Sequence, residues 1–174
     1  MISVSEARVM IQQHIVTLPP VALMLQDALG YTTASDIFAT VDIPAYPQSS
    51  MDGYAFLYAD WQQNKSLSIQ GEMAAGSKEF MSLSYNSAVR IFTGAPVPPG
   101  ADTVVMQEKV IAEKGTLIIQ DEQLQRGANV RLKGSEITAG ELALPSGTLL
   151  TPAAIGFLAG IGVTAVMVYP SPAV

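Results

Sequence analysis

Apolar residues recur at Val4, Ala7, Ile11 and Ile15, the spacing that puts them on one face of a helix. Ser3 and Glu6 stand where a capping box would start that helix. Together they predict an amphipathic helix over 4–16, ended by Pro19-Pro20. Val21 to Leu25 is an apolar run, and Gln26-Asp27-Ala28-Leu29 before Gly30 reads as a short helix with a glycine C-cap. From Asp36 to Glu141 the period shortens. Strand-like runs at 67–70, 87–92, 103–106 and 116–119 alternate with glycines at 71, 76, 94, 100, 115, 127, 134 and 140. Lys114-Gly115 lies between two such runs as a hairpin turn would.

From Gly147 onward there is no charged residue. Leu149 to Tyr169 is long enough to cross a bilayer of about 30 Å. Pro152, Gly156, Gly160 and Gly162 interrupt it, however, and no Lys or Arg flanks it. The segment therefore predicts a buried helix with Thr151 as N-cap and Pro152 at the first helical position. Gly160 or Gly162 would close it, and a buried strand over 163–169 would run to Pro170.

These elements predict a mixed α+β, β-rich chain. A compact β-barrel or sandwich over residues 40–140 is inserted into a small, discontinuous α/β layer formed by 20–39 and 141–170, with the helix of 1–19 in front. That helix has an apolar face with no evident partner in the sequence, which points to further sequence or to an oligomer.

Composition narrows the chemistry. The 174 residues contain no Cys, which excludes disulfides, thiolate zinc sites and cysteine nucleophiles, and a single His, His14, which argues against a His-rich metal site or a Ser-His-Asp triad. Fifteen acidic residues against nine basic ones give a net charge of −6, and the basic ones are scattered, so a nucleic-acid partner is not expected. Neither is a membrane span. Ile2-Ser3-Val4-Ser5-Glu6 is not a secretory leader, and the cytoplasm is the expected compartment.

Two turns stand out. Pro47-Gln48-Ser49-Ser50-Met51-Asp52-Gly53-Tyr54-Ala55 sets a carboxylate and two hydroxyls before a glycine, and Arg90-Ile91-Phe92-Thr93-Gly94-Ala95-Pro96-Val97-Pro98-Pro99-Gly100 sets a threonine before another. In each, the glycine can take a positive φ or admit a ligand to the backbone. They read as two walls of one site. Asp-Gly is also a common hairpin turn, and a strand-end Thr also serves its own backbone. His14 reads as a surface residue of the first helix, Trp61 as a cap on a hydrophobic cluster, the methionines as core filler, and Pro96-Val97-Pro98-Pro99 as a stiff loop.

With Pro44, with the continuation Ala101-Asp102-Thr103-Val104-Val105-Met106-Gln107-Glu108, and with Asn129-Val130-Arg131-x-x-Gly134-Ser135-Glu136-Ile137, these segments resemble the N-terminal half of the molybdopterin molybdotransferases, the MoeA family, related to the E domain of gephyrin. The resemblance covers essentially the whole chain. It implies insertion of molybdate, as substrate, into adenylated molybdopterin with Mg²⁺ as cofactor and AMP as product. It also implies an elongated homodimer and the molybdopterin adenylyltransferase as a partner. The pterin-binding domain would follow Val174, the helix of 1–19 would pack on it, and this chain alone would be inactive. Carried onto this sequence, Asp52, Thr93 and Glu136 are the candidate catalytic residues, Ser50, Gly53 and Gly94 the substrate contacts, and Asp52 and Glu136 the ligands of Mg²⁺ or molybdate. Glu136 stands where the family often has an aspartate. Hard-oxygen ligands suit Mg²⁺, the hydroxyls of Ser50 and Thr93 can donate to oxyanions, and so can the amides of Gly53 and Gly94. The alternative is a non-catalytic dimeric scaffold that binds peptides, of the gephyrin E-domain type.

Overall fold

The computed structural model describes residues 2–76 and 81–172. In chain order its elements are α1 (Val4–His14), β1 (Val21–Met24), β2 (Thr32–Thr33), β3 (Ile37–Phe38), β4 (Gln48–Ser49), β5 (Gly53–Phe56), α2 (Tyr58–Asn64), β6 (Ser66–Met73), β7 (Ser87–Ile91), β8 (Thr103–Met106), β9 (Val110–Glu113), β10 (Thr116–Ile119), β11 (Val130–Arg131), β12 (Leu142–Leu144), α3 (Pro152–Gly160) and β13 (Ala165–Tyr169). The chain divides into two compact units, Asp42–Thr138 and Met1–Val41 with Ala139–Val174.

The unit Asp42–Thr138 is built on a six-stranded sheet in the order β8-β5-β7-β6-β10-β9, mostly antiparallel, with β6 and β7 parallel. Its central strands are buried on both faces because successive side chains alternate. Tyr54 and Phe56 of β5 join Trp61, Leu67, Ala88, Val105, Leu117 and Leu124 in one cluster. Ala55 joins Met73, Val89, Ile91, Ala95 and Val104 in the other. Trp61 packs edge-on against Phe56 and Tyr58, at centroid distances of 6.1 and 5.4 Å, and so does cap a hydrophobic cluster. Lys114 and Gly115 both have positive φ, at 49° and 78°, as a two-residue hairpin turn demands.

In the other unit β13 lies between β1 and β2, antiparallel to both. Two expectations need correction. The first helix keeps its capping box but ends at His14 rather than residue 16, and none of its residues is buried. The last helix is capped by Thr151, whose side chain accepts from the Ala154 amide, yet within α3 only Leu158 is buried. β13 buries Val166 and Val168 and exposes Ala165 and Met167. The uncharged segment is therefore half-covered, with Leu150, Leu158, Ile161, Val166 and Val168 buried and Leu149, Phe157 and Met167 exposed. No helix among them is long and apolar enough to cross a membrane.

Candidate functional site

The Pro47–Ala55 segment runs from the short strand β4, which pairs with β11 in a two-stranded sheet, into β5 of the six-stranded sheet, so Asp52 sits at the rim where β5 begins. The Arg90–Gly100 segment leaves β7 at the same rim, since Gly53 pairs with Ile91. Backbone bonds bind the two turns together. Gly94 N–H donates to Ser49 C=O (2.9 Å), Ser49 N–H to Ala95 C=O (3.0 Å), and Val97 N–H to Pro47 C=O (2.9 Å). The third motif joins them through β11, in which Val130 faces Ser49 and Arg131 faces Gln48. Ser50 N–H donates to Asn129 C=O at 2.9 Å.

At the centre of this junction one carboxylate oxygen of Asp52, Oδ1, accepts two bonds from Thr93, one from its amide and one from its hydroxyl, each 2.8 Å long. The carboxylate is otherwise exposed. These donors favour the charged form. The Thr93 amide chiefly, then its hydroxyl, hold Asp52 below the usual carboxylate range; slight desolvation opposes them, and the Arg90 charge adds to them. Asp52 Oδ2 makes no hydrogen bond to any described residue. Such a group can give one hard oxygen to a divalent cation that keeps several waters, so the residue fits Mg²⁺ as a single-carboxylate ligand.

Glu136 behaves differently. It lies in a turn anchored on residues 43 and 44, with Gly134 N–H donating to Pro44 C=O and Glu136 N–H to Ile43 C=O, both 2.9 Å. Its carboxylate accepts from Arg131 in an exposed ion pair. Among the described residues no group of three His, Asp or Glu side chains comes together. Arg131 already meets the charge of Glu136, so a cation at this carboxylate would have to share it with, or displace, a guanidinium.

The glycines also need correction. Gly94 does have positive φ, at 80°, but its amide is used by Ser49 and is not aimed at a ligand. Gly53 is required for a protein contact: a Cβ there would lie 1.9 Å from the carbonyl oxygen of Val105 in β8. Ser49 turns its hydroxyl onto Met51 C=O at 2.6 Å. The hydroxyl of Ser50 has no hydrogen-bond partner among the described residues and remains a candidate donor. The sequence reading assigned no role to Arg90 and Gln107, which complete the rim. Gln107 N–H donates to Asp52 C=O at 3.1 Å, and Arg90 Nη2 donates to Gln107 Oε1 at 2.8 Å. The available signal was a lone cation, Arg90, inside an otherwise uncharged strand run.

Comparison with known proteins gives a consistent picture. The family described as the MoeA N-terminal region (domain I and II) matches residues 2–162. The chain is 37% identical over 147 residues to a molybdopterin molybdenumtransferase of Haemophilus influenzae, an alignment that covers 84% of this chain and 36% of the relative. A molybdopterin molybdenumtransferase of Staphylococcus aureus is 37% identical over 180 residues, covering 99% of this chain and 42% of the relative. The crystal structure of a molybdopterin biosynthesis MoeA protein from Pyrococcus horikoshii superposes with a TM-score of 0.85 at 26% identity, covering 99% of this chain and 45% of that one. The chain thus spans less than half the length of each.

Proposed function

Because this chain belongs to the MoeA N-terminal region family, we propose that it forms one wall of a site where molybdate is inserted into adenylated molybdopterin with release of AMP. The observation that carries this reading is the Asp52–Thr93 clasp, in which both donors of one threonine fix a single oxygen of an exposed carboxylate. Two bonds to Oδ1 hold the carboxylate plane and leave Oδ2 outward. An ionised, oriented carboxylate suits a reaction between two anions only if a cation lies between them. Mg²⁺, when bound, would supply that charge neutralisation. On the protein side, Thr93 orients and keeps ionised the Asp52 carboxylate, the Ser50 hydroxyl is a free donor for a substrate oxygen, and Gly53 lets β5 and β8 approach closely enough to fix the rim.

The same reading has the chain working in the cytoplasm within a homodimer, and receiving its adenylated substrate by way of the molybdopterin adenylyltransferase. The test is genetic. In a strain lacking molybdenum insertion, the protein expressed from its full reading frame should restore molybdoenzyme activity, and Asp52→Ala, at equal abundance, should not. Rescue by Asp52→Ala would favour a non-catalytic dimeric scaffold.

A further inference from the structure

Arg90 is placed where a charge is costly. Its strand neighbours Ser87, Ala88, Val89 and Ile91 are buried, and Arg90 itself is half-buried. It faces Tyr54 across the β5–β7 pair. The guanidinium carbon lies 5.6 Å from the ring centroid of Tyr54 and 5.3 Å from that of Phe92. Nη1 donates to the Tyr54 hydroxyl at 3.3 Å, and Nη2 donates to Gln107 Oε1 at 2.8 Å. The Gln107 amide nitrogen in turn donates to Glu108 Oε1 at 3.2 Å, so the amide is oriented with its oxygen toward Arg90. Every hydrogen-bond partner of this cation is neutral, and the carboxylate that feels its charge, Asp52, makes no ion pair with it.

That distinguishes Arg90 from the chain's other paired cations. The ion pairs among the described residues join Lys109 to Asp121, Arg126 to Asp102, Arg131 to Glu136 and Lys133 to Asp42. Arg90 is in none of them. Aromatic faces and an amide offset part of the cost of desolvating a guanidinium, but the full compensation is an anion. A guanidinium carries five N–H donors in a planar fork, of which described residues use two. The open part of the fork belongs to the same rim as the clasp, because Gln107, which holds Arg90, also donates its backbone N–H to Asp52 C=O at 3.1 Å.

We infer that Arg90 is an oxyanion-binding residue, whose guanidinium contacts a tetrahedral oxyanion at the rim formed by Asp52, Thr93 and Gln107. Two sources share that chemistry, molybdate and the phosphate of the adenylated substrate. The inference rests on the function proposed above and adds to it the residue that recognises the substrate's charge. Planar, bidentate recognition of such oxygens is what Arg offers and Lys does not. The rings of Tyr54 and Phe92, with Gln107, hold the fork in place before the anion arrives.

The experiment uses the protein expressed from its full reading frame, with Arg90→Gln and Arg90→Lys. Binding of molybdate and of AMP is measured separately by equilibrium dialysis on folded protein, alongside KM, kcat and the thermal midpoint. Arg90→Gln should weaken one anion by about tenfold or more, with Arg90→Lys intermediate, since a charge-assisted fork is lost in the first and only its geometry in the second. KM for the substrate that carries the weakened anion should rise in the same direction. Weakened molybdate with unchanged AMP assigns the contact to the metal oxyanion, and the reverse assigns it to the nucleotide phosphate. Wild-type binding of both anions by Arg90→Gln, or a change in the thermal midpoint alone, would overturn the inference. If Arg90→Gln does not fold, Arg90→Lys decides: wild-type affinity for both anions contradicts the assignment. Should Asp52→Asn be inactive while Arg90→Gln binds normally, only this inference fails; if both variants behave as wild type, the proposed function fails with it.

Discussion

Asp52 and Glu136 are both exposed carboxylates in turns that the sequence marks out, and they differ in what holds them. Asp52 is held by neutral donors from Thr93, which fix its geometry without cancelling its charge. Glu136 is held by Arg131, which cancels the charge. The corner around Asp52 is also fastened to the six-stranded sheet through Gly53 and β8, whereas the Glu136 turn is tied by four backbone bonds to residues 43 and 44, outside that sheet. A carboxylate hydrogen-bonded only by neutral groups has no ion-pair partner to displace before it meets a cation, even though the Arg90 charge is felt at Asp52. One already paired must give up its partner first, and exposed pairs of that kind contribute little to stability in any case.

The comparison can be broken at several points. The largest expected effect is on the fastening. Gly53→Ala drives a methyl into a backbone carbonyl of the neighbouring strand, which cannot move aside without opening the sheet, and should cost about 3 kcal/mol or more; denaturant unfolding measures it. A stability change under about 1 kcal/mol would show that β5 and β8 tolerate the spacing. Next is the clasp. Thr93→Val keeps the backbone donor and the shape but removes the hydroxyl, and molybdenum insertion should fall about tenfold, the value of one such bond to a charged group.

The same variant sharpens the electrostatic half of the comparison. Donors to a carboxylate stabilise its charged form, so losing one must raise the pKa of Asp52 toward its ordinary value. The sign for stability follows. A depressed carboxylate contributes stability above the unfolded value and loses it as pH falls through the folded value, so in Thr93→Val that contribution should be smaller and its loss complete at higher pH than in wild type. A carbon-detected NMR titration of the Asp52 carboxylate reads this directly, and an unchanged midpoint would remove the hydroxyl from the account. The smallest effect is at the other carboxylate. Glu136→Gln breaks an exposed pair with Arg131 and should cost under about 1 kcal/mol, with activity close to wild type; a large activity loss would erase the distinction between the two turns.

What the sequence made legible was local. The runs at 103–106 and 116–119 are β8 and β10 residue for residue, and the caps at Ser3 and Thr151 form as their side chains dictate. The clasp was legible as two turns of the same character but not as a pair of bonds, since Asp52 and Thr93 are brought together by strand pairing 41 residues apart. α2 escaped notice for a similar reason. No side chain caps it locally; its first amide, that of Tyr58, is met by Asp102 from 44 residues away. β5 escaped because its four residues, buried on both faces and opening with glycine, show neither alternation nor length. The opposite error occurred at α3, where an uncharged run suggested burial that the described residues supply only at Leu158.

The central claim is that the clasped carboxylate, and not the paired one, carries the function. It is tested most directly by molybdate-dependent AMP release and thermal melting measured on the same preparations of Asp52→Asn and Glu136→Gln, each in the protein expressed from its full reading frame. Asn keeps the volume and tolerates the same turn. Asp52→Asn should therefore melt close to wild type while its release falls at least ~10²-fold, on the order of 3 kcal/mol of lost transition-state stabilisation, with Glu136→Gln near wild type in both readings. Near-wild-type release from a well-folded Asp52→Asn protein would contradict the account.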